Sequence, residues 1–202
     1  ALDFCKDKEA VIIGPGLGRD ESTVRFVKRF VREVKAPLVV DADGLNSIGS
    51  DIDVLIKREF PTVLTPHPGE MSRLCGCSVK EIQSDRIRFA LDYAKRSKSV
   101  IVLKGHNTVV ANPDGEFAIN PTGGHGLAKG GSGDVLAGLI GGLLAQGISA
   151  YYSAIAGVWI HGSAGDLAEK TLHPRSMGAS DLFSFIHEVW KMLDPEPYQN
   201  ED

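Results

Sequence analysis

The chain has 202 residues, a net charge of −4, and 43% hydrophobic and 24% charged residues, which is the size and balance of one globular domain with a substantial core. That acidic balance argues against a nucleic-acid surface, and no apolar run reaches the ~20 residues that span a bilayer. Three cysteines, Cys5, Cys75 and Cys77, are an odd count that fits a reducing, cytoplasmic compartment rather than a disulfide framework.

Ala10–Gly14 (AVIIG) reads as a buried strand, and Ser22–Val34 after it has helical spacing. Pro37–Asp43 predicts a second strand, Thr62–Pro66 a third and Val100–Gly105 a fourth, with a long helical stretch over Ile82–Ser97 between the last two. Continuous apolar strands alternating with helices mean parallel strands covered on both faces. Thr108–Asn120 predicts a hairpin turning at Pro113-Asp114-Gly115. From Asp134 to about Leu193 the pattern is helical, broken near Gly147 and at His173-Pro174. Tyr151, Tyr152 and Trp159 in that region read as core. The fold class is α/β, doubly wound, a mostly parallel sheet in a single domain over 1–202. Residues 194–202 form an acidic tail expected to be mobile.

Unusual residues gather where the strands end: Gly14-Pro15-Gly16-Leu17-Gly18, Asp41 to Asn46, Thr65 to Glu70, and Lys104-Gly105-His106-Asn107-Thr108. In open α/β sheets ligands bind at the carboxyl ends of the strands, so four such loops describe one composite site. A fifth glycine-rich segment, Gly130-Gly131-Ser132-Gly133, opens an apolar helix, where free backbone N–H groups and the helix dipole favour an anion. Neither a GxxxxGK[ST] loop nor a GxGxxG followed by a spaced acid occurs.

Asp134, at the joint between glycines and apolar helix, is either a helix cap or a general base beside the anion, and the neighbouring glycines favour the base. Lys104 suits a phosphate, against a solvated strand-end lysine. His67 and Glu70 sit in TPHPGE, where Pro66 and Pro68 hold the backbone extended around the histidine. Asp41 and Asp43 either orient water, magnesium or a ribose, or cap the following helix. His161, on a helix among small residues, reads as structural. Cys75 and Cys77 form a CxC pair with no partner at finger-like spacing, so no metal ligand is assigned. The constellation describes phosphoryl transfer to an alcohol.

VIIGPGLG, VVDADGLN, LTPHPGEMSRL, VLKGHNTVV, GLAKGGSGDVLAGLIGGLLAQG, HGSAGDLA and ASDL occur in that order. They resemble the signature segments of the ADP/ATP-dependent NAD(P)H-hydrate dehydratases of the ribokinase-like superfamily. The resemblance implies repair of NADHX and NADPHX: the ring hydroxyl is phosphorylated by ADP or ATP with Mg2+, and loss of phosphate restores the ring double bond. It implies Asp134 as the catalytic base and a substrate contact, and Gly16 and His67 as further substrate contacts. It also implies Lys104, Gly105, His106, Asn107, Thr108, Gly131, Ser132 and Gly133 as nucleotide-binding, with Asp43, Asn46 and Glu70 as further candidates. A homo-oligomer, a tetramer in similar proteins, is implied, as is fusion to or pairing with an NAD(P)HX epimerase. Family members carry a stretch before GPGLG that helps form the dinucleotide site, and this chain has nine residues before AVIIG. The rival readings are a ribokinase-like kinase of a small alcohol, such as a thiazole or hydroxymethylpyrimidine, and an inactive nucleotide-binding fragment.

Overall fold

The computed structural model describes residues 1–194, so almost all of the acidic tail expected to be mobile lies outside the described residues. Six strands form one sheet: β1 (Val11–Ile13), β2 (Leu38–Val40), β3 (Thr62–Leu64), β4 (Val100–Leu103), β5 (Thr108–Ala111) and β6 (Phe117–Asn120). They lie in the order of the sequence, β1 to β4 parallel and β4-β5-β6 antiparallel, as the hairpin pattern predicts. No reversal of strand order occurs, so the term doubly wound holds for the layering and not for the winding.

The pleat decides which helices go where, because successive side chains point to opposite faces. Leu38, Val40, Leu64, Ile101 and Leu103 join one core with residues of α1 (Glu21–Glu33), α2 (Ala42–Ile48), α3 (Asp53–Ile56), α4 (Pro68–Cys75), α5 (Val79–Ser84) and α6 (Arg86–Ser97). Val39, Val63, Val100, Val102 and Val110, the alternate residues, join a second core with α7 (Ser132–Ala145) and α8 (Ala150–Thr171). Further out, α9 (Leu182–Leu193) packs Leu182, Ile186 and Val189 against Ile160, Ala164 and Ala168 of α8.

Several elements depart from the sequence reading for local reasons. The Ile82–Ser97 stretch is two helices, because Asp85 leaves helical geometry (φ −156°) and caps α6 by accepting from the Arg88 N–H at 3.1 Å. Ser78 and Glu81 close a capping box on α5. Asp41 to Asn46 is not a loop: α2 begins at Ala42, straight after the β2 strand. The apolar helix begins at Ser132, two residues before Asp134, with Gly131 at φ 87° as its N-cap. Tyr152 and Trp159 are 66% and 38% exposed, so they are surface aromatics, not core.

Gly14 closes the carboxyl end of β1 at φ +134°, and a Cβ there would lie 1.8 Å from the Asp41 carbonyl oxygen. Only glycine allows the ends of β1 and β2 to approach this closely. That approach gathers the strand-end residues into one place.

Candidate active site

Lys104 follows β4, and its Nζ donates to Asp41 Oδ1 at 2.8 Å across the strand ends, with Glu70 Oε2 3.9 Å away. Asp41 is 1% exposed and Glu70 5%. Two buried carboxylates therefore share one ammonium, and the Asp41 side chain does not cap α2. The first turn of α7 comes down on this cluster at Gly133, whose ideal Cβ position is 3.4 Å from both Asp41 Oδ2 and Lys104 Nζ. Replacing Lys104 by methionine will leave Asp41 buried without its counter-charge. The expected loss is about 3 kcal/mol, the low end for breaking a buried pair, measured by denaturant unfolding. A loss under about 1 kcal/mol would mean that water already satisfies Asp41.

His67 serves as the N-cap of α4. Its Nδ1 accepts from the Gly69 and Glu70 N–H groups at 3.0 and 3.3 Å, so the ring proton belongs on Nε2, which faces Glu70 Oε1 at 3.4 Å. Glu70 in turn accepts from the His67 N–H at 2.8 Å, completing a reciprocal box. Burial lowers the His67 pKa below the ordinary histidine value, with Glu70 opposing and Lys104 reinforcing the shift. A neutral ring, 51% exposed, is thus held beside Lys104.

A cavity of about 680 Å³ opens next to this cluster, lined among others by His67, Lys104, Gly105, His106, Thr108, Ser132 and Gly133. Asn107 lies outside its lining and instead makes the turn before β5 at φ 55°. Thr108 Oγ1 closes that turn by donating to the Gly105 carbonyl at 3.0 Å. Arg86 of α6, which the sequence pattern does not single out, braces it from behind by donating to the carbonyls of His106 and Leu103 at 2.6 and 2.7 Å. An arginine at the start of a helix is an ordinary surface residue in sequence, and only the fold puts it against the turn.

The opposite wall, Thr122 to His125, is tied to α8. Asp166 accepts from the Gly123 N–H at 3.1 Å, and Glu169 accepts from the Gly126 N–H. His161, earlier in the same helix, is 8% exposed, lines the cavity and lies 3.1 Å from Ser132 Oγ through Nε2. The HGSAGDLAE segment is therefore cavity scaffold, and the reading of His161 as structural is incomplete. Burial holds the His161 ring down to about 4 from an ordinary 6.5, opposed by a backbone hydrogen bond with Ser132 and aided by Lys104. The folded state resists a proton that the unfolded chain accepts. This contribution to stability is fully present above about pH 6.5 and disappears as pH falls towards 4. At 1.36 kcal/mol per pH unit the loss is about 3 kcal/mol. Urea unfolding at about pH 7 and about pH 4.5 reads it, and His161→Gln should flatten that part of the profile. An unchanged profile in the variant would assign the acid sensitivity to other groups.

Gly16 lies at φ +71° in the exposed turn after β1. Asp43 fastens the end of that turn, accepting from the Gly18 N–H at 3.0 Å and from Arg19 Nε at 2.9 Å. The Arg19 guanidinium holds the Asp43 carboxyl below its ordinary range. Asn46 Oδ1 accepts from Arg73 Nε at 2.7 Å, linking α2 to α4. Asp43 thus fastens the turn after β1, Asn46 joins two helices, and neither lines the cavity.

Asp134 is the third residue of α7, exposed, and borders a different concavity of about 450 Å³ between α7 and α9, with Val135, Leu139, Phe183 and Trp190. Gly133 therefore separates two surfaces of one helix turn: Lys104 and the polar cavity on one side, the Asp134 carboxylate on the other. Of the N–H groups in this turn, those of Ser132 and Asp134 donate to the Lys129 and Gly131 carbonyls, and that of Gly133 has no partner among the described residues. Among the described residues no cluster of three His, Cys, Asp or Glu side chains is placed to hold a metal ion.

The NAD(P)H-hydrate dehydratase family model matches residues 2–188. A bifunctional NAD(P)H-hydrate repair enzyme of Moorella thermoacetica is 46% identical over 195 residues, covering 96% of this chain and 37% of that protein. The crystal structure of the ADP/ATP-dependent NAD(P)H-hydrate dehydratase of Bacillus subtilis, co-crystallised with ATP and Mg2+, superposes with a TM-score of 0.80 at 37% identity, covering 92% of this chain and 65% of that one. A ribokinase-like superfamily protein of Enterococcus faecalis matches with a TM-score of 0.70 at 29% identity over 89% of this chain and 63% of its own. The chain thus spans under two thirds of the length of these relatives. Its fold is ribokinase-like, and it belongs to the NAD(P)H-hydrate dehydratase family.

Proposed function

We propose that this chain carries the ADP- or ATP-dependent dehydration step that repairs hydrated NADH and NADPH. The observation that carries the reading is Gly133. Its N–H has no partner among the described residues, its missing side chain lets the first turn of α7 lie against Lys104 and Asp41, and the next residue is an exposed carboxylate. The nucleotide phosphates enter the 680 Å³ cavity between the Lys104–Thr108 turn and the first turn of α7. Lys104 and the Gly133 N–H hold the charge of the phosphoryl group in transfer. Asp134 takes the proton of the ring hydroxyl as its oxygen bonds to the terminal phosphorus and the bond from that phosphorus to the bridging oxygen breaks, releasing AMP from ADP or ADP from ATP. The phosphate ester then leaves with the carbon–oxygen bond pair, and loss of a ring proton restores the double bond. His67 and Gly16 present the neighbouring surface to the dinucleotide.

Mg2+ keeps several waters and binds through one or two carboxylates together with phosphate oxygens. The residues fit that mode, because Asp41 has one oxygen engaged by Lys104 and the other facing Gly133. When bound, the ion neutralises charge on the phosphates. Co-crystallisation of the Bacillus relative with ATP and Mg2+ supports this pairing. The bifunctional name of the Moorella relative supports a second repair activity beside this one, which the family resemblance makes an NAD(P)HX epimerase. Phe117 and Ile119, 45% and 48% exposed on the edge strand β6, support self-association, in line with a tetramer. Three free thiols support a cytoplasmic setting, and no helix among the described residues is long and apolar enough to cross a membrane.

The test is recovery of NADH absorbance from its hydrate with ADP and with ATP, side by side. Recovery with either nucleotide supports the dehydratase, whereas a small-alcohol kinase leaves the absorbance unchanged and an inactive fragment consumes no nucleotide.

A further inference from the structure

His161 and Ser132 are 8% and 5% exposed, 3.1 Å apart, and both line the cavity that holds Lys104 and Gly133. For two neutral groups in this position the tautomer of the ring decides which of them donates the hydrogen bond to the other. With the ring proton on Nδ1, Nε2 would accept a hydrogen bond from the serine hydroxyl, and Ser132 would show an approaching phosphate only lone pairs. With the proton on Nε2, the ring donates to Ser132 Oγ and the hydroxyl proton is left to donate outward. The Lys104 ammonium and the Gly133 N–H, which has no hydrogen-bond partner among the described residues, are donors too, so this part of the cavity suits an anion.

We infer that His161 is a positioning residue for the anion cradle: its Nε2–H holds Ser132 Oγ as an acceptor and aims the serine hydroxyl at a phosphoryl oxygen. The inference rests on the nucleotide reading above and deepens it. The neighbouring glycine explains how the ring is kept in place. A Cβ on Gly162 would lie 2.1 Å from Thr122 Oγ1, so α8 sits hard against the cavity wall, and Thr122 Oγ1 also reaches the Trp159 carbonyl at 3.3 Å. The helix turn carrying His161 is thereby fixed relative to the wall of the cavity. A neutral ring is required, and burial beside Lys104 provides one at any ordinary pH.

The probe is ADP, with affinity read by titration calorimetry and turnover by NADH recovery. Ser132→Ala and His161→Leu should each weaken ADP binding about 10-fold, as expected for loss of one hydrogen bond to a charged group. Because both remove the same donor, the double variant should also be about 10-fold weaker, whereas independent effects would multiply to about 100-fold. His161→Gln, which can place an N–H near the Nε2 position, should stay within about 3-fold of the parent protein. Nitrogen-15 spectra of the histidine rings at neutral pH should show His161 as the Nε2–H tautomer, a readout that needs no variant. Multiplying effects, wild-type affinity in His161→Leu, or an Nδ1–H tautomer would each overturn the inference. Those results with ADP bound and NADH recovered leave the functional reading standing. A parent protein that neither binds ADP nor recovers NADH overturns both.

Discussion

Asp134→Asn will cut dehydratase turnover by about 10³-fold, within the range for removing a positioned general base, while ADP affinity stays within about 3-fold. The separation follows from where the side chain lies. Its carboxylate is exposed, borders the concavity between α7 and α9, and lies outside the cavity proposed for the nucleotide. Asparagine keeps the shape and loses the basicity. The cost to stability is one favourable charge at a helix N-terminus, about 0.5 kcal/mol. Steady-state kinetics should therefore show kcat falling with the KM for nucleotide nearly unchanged. Parallel loss of ADP binding would show Asp134 to be part of the nucleotide site and not the base.

Gly133→Ala should separate stability from activity in the opposite sense. Gly133 is inside α7 and is not among the positive-φ glycines, so alanine fits the backbone. Its methyl would meet Asp41 Oδ2 and Lys104 Nζ at 3.4 Å, an ordinary contact. Helix propensity then predicts a protein as stable as the parent or up to about 1 kcal/mol more so. In the proposed mechanism the same methyl occupies the space through which a phosphoryl oxygen reaches the Gly133 N–H. Losing such a donor costs about 10²- to 10³-fold in turnover. Thermal unfolding and NADH recovery on one preparation test both halves. A variant that is active and more stable would remove the anion cradle from its place in the mechanism.

Much of the sheet is legible in the sequence because buried parallel strands are short apolar runs, and Val11–Ile13, Leu38–Val40, Thr62–Leu64 and Val100–Leu103 are such runs. The hairpin is legible from its Pro-Asp-Gly turn. Less visible is the break at Asp85, where one capping carboxylate interrupts a periodic pattern without a glycine or proline to mark it. The rule that strand ends share an edge groups Lys104 with His67, and both line the same cavity as Ser132 and Gly133. Asp41 stays ambiguous in sequence, since no periodicity reveals that a strand-end acid will find a lysine 63 residues away. Arg86, Asp166 and Glu169 act through backbone groups of distant turns, and such partners leave no local pattern. His161 does leave one, because the small residues around it mark a helix pressed against another part of the chain. Sequence alone does not reveal that Asp134 borders a second concavity, between α7 and α9, next to the cavity that Lys104 lines.

In the proposed mechanism the ring hydroxyl leaves as phosphate, after phosphoryl transfer at the α7 N-terminus. NADH hydrate carrying oxygen-18 in that hydroxyl, turned over with ADP, tests it in one mass spectrum. Each NADH restored should be matched by a single labelled inorganic phosphate and a single AMP. Label released into water, with unlabelled phosphate, would contradict it.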